Sequence, residues 1–138
     1  MSAVPPPQSN GRFRAMPISH TIEGRIVHVS WTGVITNADL AAVGALMPRL
    51  AQELGFVPHL LNTYDGVTGS DFDPETIYAE SMRRRHQPIP PLAKSAMVAP
   101  TPVDLAMTRV IQAMNRDPRL QMEIFSSEAE SRAWLAEW

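Results

Sequence analysis

The sequence has no cysteine, which excludes disulfide bonds, thiolate-bound zinc and cysteine nucleophiles. It also lacks a strong excess of either charge, because the formal net charge is −2 and 19% of the residues are charged. That balance indicates neither a nucleic-acid surface nor an acidic solvating tail. No stretch approaches the roughly 20 apolar residues of a membrane-spanning helix, and three prolines at positions 5–7 interrupt any apolar signal segment. We therefore expect a cytoplasmic protein with no nucleic-acid partner and no integral membrane association.

The chain divides into a short tail and one domain. Residues 1–16 combine the three prolines with Ser, Asn and Gly and have almost no large apolar side chain, so we predict a disordered tail. Residues 17–138 have the length of a single domain. Hydrophobic residues make up 44% of the sequence, which is enough for a real core.

The domain opens with two runs that alternate between apolar and polar residues. Ile18–Ile22 and Arg25–Trp31 have the period of half-buried strands, and Glu23-Gly24 between them predicts a hairpin turn. Thr32-Gly33 is expected to end the second strand. Three further strands are predicted, the second of them interior because it is almost continuously apolar: His59–Tyr64, Ala93–Ala99 and Leu120–Phe125.

Four helices are predicted between and after these strands. Thr36 is placed to cap the first helix, Pro48 is expected to kink it, and Gly55 to end it. The start signals of the others are Asp73-Pro74, Thr101-Pro102 and Ser127, the last with Glu130 as a capping box. A stripe in the third helix runs through Val103, Met107, Val110 and Met114.

This order of elements predicts an α/β fold. Strands that alternate with helices imply a mixed, mostly parallel five-stranded sheet, with the N-terminal β-hairpin on one edge and about four helices packed around it. Residues 65–70, rich in Gly, Thr and Ser, are expected to form a turn between the third strand and the second helix.

Three passages resemble a known family. They are residues 26–36, a strand with a glycine turn and a capping Thr; residues 94–98 followed by 106–112; and residues 124–135, a strand that runs into a capped helix. Together they resemble the STAS fold of anti-sigma-factor antagonists, and more closely its SpoIIAA-like branch. The resemblance covers about residue 18 to the end. It implies a STAS-like fold, no shared catalytic apparatus, and a switch based on phosphorylation of a serine at the start of a helix.

Ser70 is the nearest equivalent of that serine. It stands in Gly69-Ser70-Asp71, whereas the family pattern places Asp before the serine and Gly after it. A phosphate here would also meet the negative charges of Asp71 and Asp73. Ser70 is therefore a candidate phosphoacceptor, and its alternative role is that of a hydrogen-bonded turn residue.

Carboxylates also collect at this point of the chain. Asp65, Asp71 and Asp73 follow a central strand, at the edge where open α/β sheets bind ligands. Asp65, Ser70 and Asp71 are thus candidates for a ligand or partner loop, and a metal-dependent hydrolase could use these Asp side chains. The alternative is that they form turns and helix caps.

Two other features suggest binding. Arg83, Arg84 and Arg85 end the second helix and could hold an anion, although cations at this position also complement the helix dipole. The methionines recur at core spacing, yet Met-rich cores can accept an apolar ligand. The STAS layout is similar to that of lipid-carrying domains of the SEC14 type, which favours the same ligand class.

The sequence as a whole favours a non-enzymatic regulatory or protein-interaction module with no cofactor and no metal. A carrier or sensor of a small apolar, lipid-like ligand is the alternative, and the hydrolase is the third. Trp134 and Trp138 lie four residues apart in the last helix and so share one face. Exposed aromatic side chains are enriched at interfaces. We therefore predict a homodimer with contacts from these two residues or from the helix around Pro48.

Overall fold

The structure is a computed structural model that describes residues 18–86 and 93–137. The predicted tail, residues 1–16, and Trp138 lie outside the described residues. The strands are β1 (Ile18–Glu23), β2 (Ile26–Thr36), β3 (His59–Asp71), β4 (Ala93–Val98) and β5 (Leu120–Phe125). The helices are α1 (Asn37–Leu54), α2 (Pro74–Arg85), α3 (Pro102–Met114) and α4 (Glu128–Leu135). The predicted order of elements is confirmed.

The strands form one sheet in the spatial order β1-β2-β3-β4-β5. β1 is antiparallel to β2, and the other three pairings are parallel. The predicted positions are also confirmed, since β4 is interior and buried over its whole length, while the hairpin holds an edge. Gly24 makes the hairpin turn with φ 62°, a conformation that only glycine adopts without strain.

Each face of the sheet has its own core. Leu60 and Tyr64 of β3 belong to the larger cluster, which also includes side chains from α1, α2 and α3. Leu61, between them in sequence, belongs to a smaller cluster with Leu135 of α4. Because right-handed crossovers between sequential parallel neighbours lie on the same side, α1 to α3 cover one face and α4 covers the other.

The helix starts follow the capping signals, with two differences. Thr36 Oγ1 accepts from the Asp39 backbone N–H and Asp39 Oδ2 accepts from the Thr36 N–H, which is a complete capping box. Ser127 accepts from the Glu130 N–H, but the Glu130 carboxylate accepts from Ser126 Oγ, so the predicted second box is only half formed. Asp73 precedes α2 without a side-chain cap bond.

Two predicted strand ends were wrong. β2 does not end at Thr32-Gly33 and continues to Thr36, and residues 65–70 do not turn, because β3 continues to Asp71 alongside it. The register shifts twice along this extension, so that β3 carries extra residues relative to β2. Bulges of this kind favour glycine, which is why Gly66 and Gly69 gave a pattern that predicts a turn.

The apolar stripe of α3 also differs at its first position. Val103 is 70% exposed, whereas Met107 is buried. The buried residues of α3 are Asp104, Met107, Thr108 and Ile111, so the buried stripe begins at Asp104 and Val103 lies beside it.

Candidate functional site

A cavity lies between the sheet and the inner faces of α1 and α2. Its volume is about 210 Å³, and most of its wall is aliphatic or aromatic. Voids larger than a water molecule are few in protein interiors, and small molecules bind in concave, mostly apolar sites with a few polar groups. The cavity is therefore the candidate functional site. The sheet contributes Trp31, Leu60, Tyr64, Met97 and Met122 to its wall.

One face of α1 forms the opposite wall. Leu40, Gly44, Met47 and Ala51 line the cavity, and their spacing of three or four residues places them on one side of the helix. Gly44 brings the α1 backbone close to α2, since a Cβ at this position would lie 3.5 Å from Glu80 Oε1. Part of this face of α1 therefore borders the cavity instead of packing directly on the sheet.

A buried asparagine ties three strands together beneath the cavity. Asn62 Oδ1 accepts from Trp31 Nε1 at 3.2 Å, and Asn62 Nδ2 donates to Ser95 Oγ at 3.1 Å and to the Ala96 carbonyl at 3.0 Å. Asn62 is 4% exposed. Because buried polar groups without partners are costly, these bonds hold β2, β3 and β4 in one register at the cavity.

Two aromatic side chains complete this wall. The rings of Trp31 and Tyr64 lie 6.0 Å apart between centroids with 25° between their planes. Burial raises the pKa of the Tyr64 phenol well above its ordinary value, and the nearby charge of Asp104 raises it further. Tyr64 is therefore a neutral phenol at any physiological pH, and the wall here carries no charge.

The charged groups of the wall cluster at one end, beside the amino ends of β4 and β5. Arg84 Nε donates to Asp117 Oδ2 at 3.2 Å, and Arg119 Nε donates to Asp117 Oδ1 at 3.1 Å. Arg84 Nη2 also donates to Asn115 Oδ1 at 2.9 Å. The Asp117 carboxylate thus accepts hydrogen bonds from two guanidinium groups.

The electrostatics of this cluster follow from its burial. Burial on its own raises the pKa of the Asp117 carboxyl, but hydrogen bonds and charge from Arg119, with the charge of Arg84, hold that pKa below its ordinary value. Burial lowers the pKa of the Arg84 guanidinium, and the pairing with Asp117 opposes this. Arg84 is thus a partly desolvated cation with a shared counter-ion.

The predicted loop residues lie elsewhere. Asp65, Ser70 and Asp71 are exposed residues of β3, and none of them lines the cavity. Ser70 pairs with Ile35 and Asp71 with Thr36 in the extended ladder, so Ser70 does not begin a helix. Within residues 18–86 and 93–137, no three acidic or histidine side chains converge on a point that could hold a metal ion. The hypothesis that Asp65, Asp71 and Asp73 bind a metal is therefore not supported.

The arginines at the end of α2 have three different environments. Arg83 is paired with Glu80 at 2.6 Å, Arg84 belongs to the buried cluster, and Arg85 is exposed. The structure does not present them as one anion site. Only Arg84 lines the cavity.

Trp134 packs against the sheet instead of projecting from α4. Its ring lies 5.5 Å from the Phe125 ring between centroids, and Lys94 Nζ lies 4.8 Å from its centroid. Lys94 Nζ also donates to the Trp134 carbonyl at 2.8 Å, which places a cation at the negative end of α4. Trp134 therefore has a role in the fold, and Trp138 lies outside the described residues.

Sequence reasoning missed Asn62, Asp117 and Arg119. Asn62 interrupts an otherwise apolar strand, and a polar residue there is a detectable signal of a buried hydrogen-bond network. Asp117 pairs with Arg84, a residue 33 positions away, and no local pattern in the sequence indicates such a contact.

No helix in the described part of the chain has the length and apolar character needed to cross a membrane. No protein-family model and no curated protein matches the sequence. Among solved structures, the chain is similar to an uncharacterised protein of the DUF3478 family from Shewanella loihica PV-4, described as having a SpoIIAA-like fold. The TM-score is 0.51 at 13% identity, over 86% of this chain and 91% of that one. At this identity the likeness concerns the fold alone, and it confirms the STAS/SpoIIAA-like architecture.

Proposed function

Starting from a SpoIIAA-like fold with a cavity in its larger core, we propose that this protein is a non-enzymatic regulatory module that binds a small apolar ligand. The observation that carries the proposal is the cavity of about 210 Å³ between α1, α2 and the sheet. Its wall is mostly hydrocarbon, with polar contacts that Asn62 makes to Ser95 and Arg84 makes to Asp117. Such a wall is suited to binding, because it offers surface and shape without a group poised to react.

The size of the cavity limits the ligand. An engineered apolar cavity of about 150 Å³ binds benzene, so in proportion this cavity holds roughly eight carbon atoms. Met47 of α1 and Met97 of β4 both line the cavity, and their flexible side chains can adapt to the shape of a ligand of that size. A full-length lipid tail is too long to be enclosed.

The regulatory part of the proposal follows from the position of α1. A ligand that fills the cavity contacts α1 and α2 together and stabilises their arrangement. A partner protein that prefers this arrangement would then bind the liganded form more tightly. The fold likeness supports this link with interaction modules, and Ser70, exposed on β3, stays a candidate phosphoacceptor for such a switch.

A cavity-filling variant tests the binding site. Ala51→Phe places a ring inside the cavity, whereas Ala41→Phe places the same ring on the exposed side of the same helix. We expect eight-carbon probes, 1-octanol and octanoate, to shift the amide resonances of cavity residues in the wild type and in Ala41→Phe, and not in Ala51→Phe. If neither probe binds the wild type, or if both variants bind alike, the cavity is not the binding site.

A further inference from the structure

We infer that the ligand is a small apolar carboxylate, held with its carboxylate at Arg84 and its hydrocarbon part between α1 and the sheet. This inference rests on the proposed function, because it names the chemical class of the ligand for the same cavity. It depends on where the charged groups of the wall lie and on how they are already paired.

All four charged groups of the wall belong to the polar end. Arg84 and Arg119 share Asp117, and the fourth group is Glu80 of α2. Glu80 is paired at 2.6 Å with Arg83, which does not line the cavity. The wall's own groups, two guanidiniums and two carboxylates, balance in charge, and with Glu80 engaged by Arg83 the Arg84 and Arg119 guanidiniums both bind the Asp117 carboxylate. A carboxylate ligand offers Arg84 a second acceptor.

Arg84 also has hydrogen-bonding capacity to spare. A guanidinium carries five N–H donors, and Arg84 uses Nε toward Asp117 and Nη2 toward Asn115. Its Nη1 makes no hydrogen bond to any described residue of the chain. Only one Asp117 oxygen accepts from Arg84, so the two-pronged pairing that a guanidinium forms with a carboxylate is absent here. A second carboxylate on the cavity side would supply it.

The location of Arg84 strengthens such a pairing. Its side chain is 25% exposed, and partial desolvation strengthens charge–charge attraction relative to water. The rest of the wall is apolar, so the same ligand can bury its hydrocarbon part. A neutral ligand of the same length obtains only the second of these two contributions.

Comparison of octanoate with 1-octanol on the wild-type protein separates the two contributions, since both have eight carbons and differ in the head group. By calorimetry at neutral pH, we expect octanoate to bind about tenfold more tightly or better, the effect of one charge-assisted hydrogen bond. If 1-octanol binds as tightly as octanoate, the inference fails while the proposed function stands. If neither probe binds, the proposed function fails and the inference fails with it.

Three single substitutions locate the head group. Arg84→Gln should remove the advantage of octanoate over 1-octanol, while Arg85→Gln, on the exposed neighbouring residue, should leave it unchanged. Glu80→Gln removes a negative charge from the wall and should tighten octanoate binding several-fold without affecting 1-octanol. This last variant keeps the inference testable if Arg84→Gln does not fold. An equal change for both probes in Glu80→Gln overturns it.

Discussion

Single polar residues decide how the core of this protein is organised. Asn62 replaces an apolar side chain at the centre of the sheet, and its amide bonds to Trp31, Ser95 and the Ala96 carbonyl leave no part of it unsatisfied. A shift of β3 by a single residue would break all of these bonds at once, because side chains alternate between faces. A purely apolar residue at this position would make none of these bonds and would not specify the register.

His59 links stability to pH. It is buried at the start of β3, and its Nδ1 accepts from the Lys94 backbone N–H at 3.0 Å. Burial lowers the pKa of His59 below its ordinary 6.5, and the charges of Lys94 and Arg25 lower it further. The folded state therefore binds the proton less tightly than the unfolded state. Its contribution to the free energy of unfolding is complete above pH 6.5 and is lost as the pH falls toward the folded pKa.

We expect the wild type to lose stability to urea as the pH falls below about 6.5 and His59→Asn to lose less, because asparagine keeps an acceptor and does not titrate. His20→Asn, at an exposed position of the edge strand β1, is the control for a histidine substitution outside the buried core. Identical slopes for the wild type and His59→Asn would show that another group controls stability in this window.

At the scale of elements, local signals located the helices better than the strand ends. Thr36, Thr101 and Ser127 each accept the predicted backbone bond at a helix start, because capping depends on residues three positions apart. The end of a strand depends instead on whether the neighbouring strand still pairs with it. β3 continues past Tyr64 because β2 continues alongside and pairs with it, and the local sequence near position 65 does not indicate that pairing.

Gly66 provides a test of the extended β3. It is paired with Thr32, and a Cβ at Gly66 would lie 2.7 Å from Thr32 Cγ2 and 3.1 Å from Thr32 Cβ. Gly66→Ala should therefore lower the free energy of unfolding by about 1–2 kcal/mol, as overpacking does. Gly69→Ala, where a Cβ meets nothing within 4 Å, should stay within about 0.5 kcal/mol of the wild type.

Thr32→Ala should partly rescue Gly66→Ala in the same denaturation experiment, because it removes the closest contact. In a turn that requires positive φ, both glycine substitutions would be costly and the change at Thr32 would have no effect. Neither Gly66 nor Gly69 has a positive φ in the structure. The stabilities of Gly66→Ala, Gly69→Ala and the double variant with Thr32→Ala thus distinguish a paired strand from a turn at residues 65–70.

At the scale of the whole molecule, the sequence predicted the fold and not the cavity. Period, capping and apolar runs specify which elements form and which strands are buried, and this was enough for the order of elements, the edge position of the hairpin and the interior position of β4. A cavity arises where buried faces fail to fill the space between them. That depends on distances between α1, α2 and the sheet, and on close approaches such as the one that Gly44 allows toward Glu80. For the same reason the pairing of Arg84 with Asp117 was not predictable.

Self-association is the remaining prediction at this scale, and the position of Trp134 sharpens its test. Trp134 is packed on Phe125 and Lys94, so Trp134→Ala should destabilise the fold itself. The last three residues are different, because Ala136 and Glu137 are exposed and Trp138 supplies an aromatic side chain of the type that is enriched at interfaces. We expect the wild type to sediment as a dimer at high micromolar concentration. Deletion of residues 136–138 should weaken the dimer about tenfold while urea denaturation stays close to that of the wild type. A wild-type protein that remains monomeric would contradict the dimer, and equal loss of stability in both variants would show that residues 136–138 serve the fold.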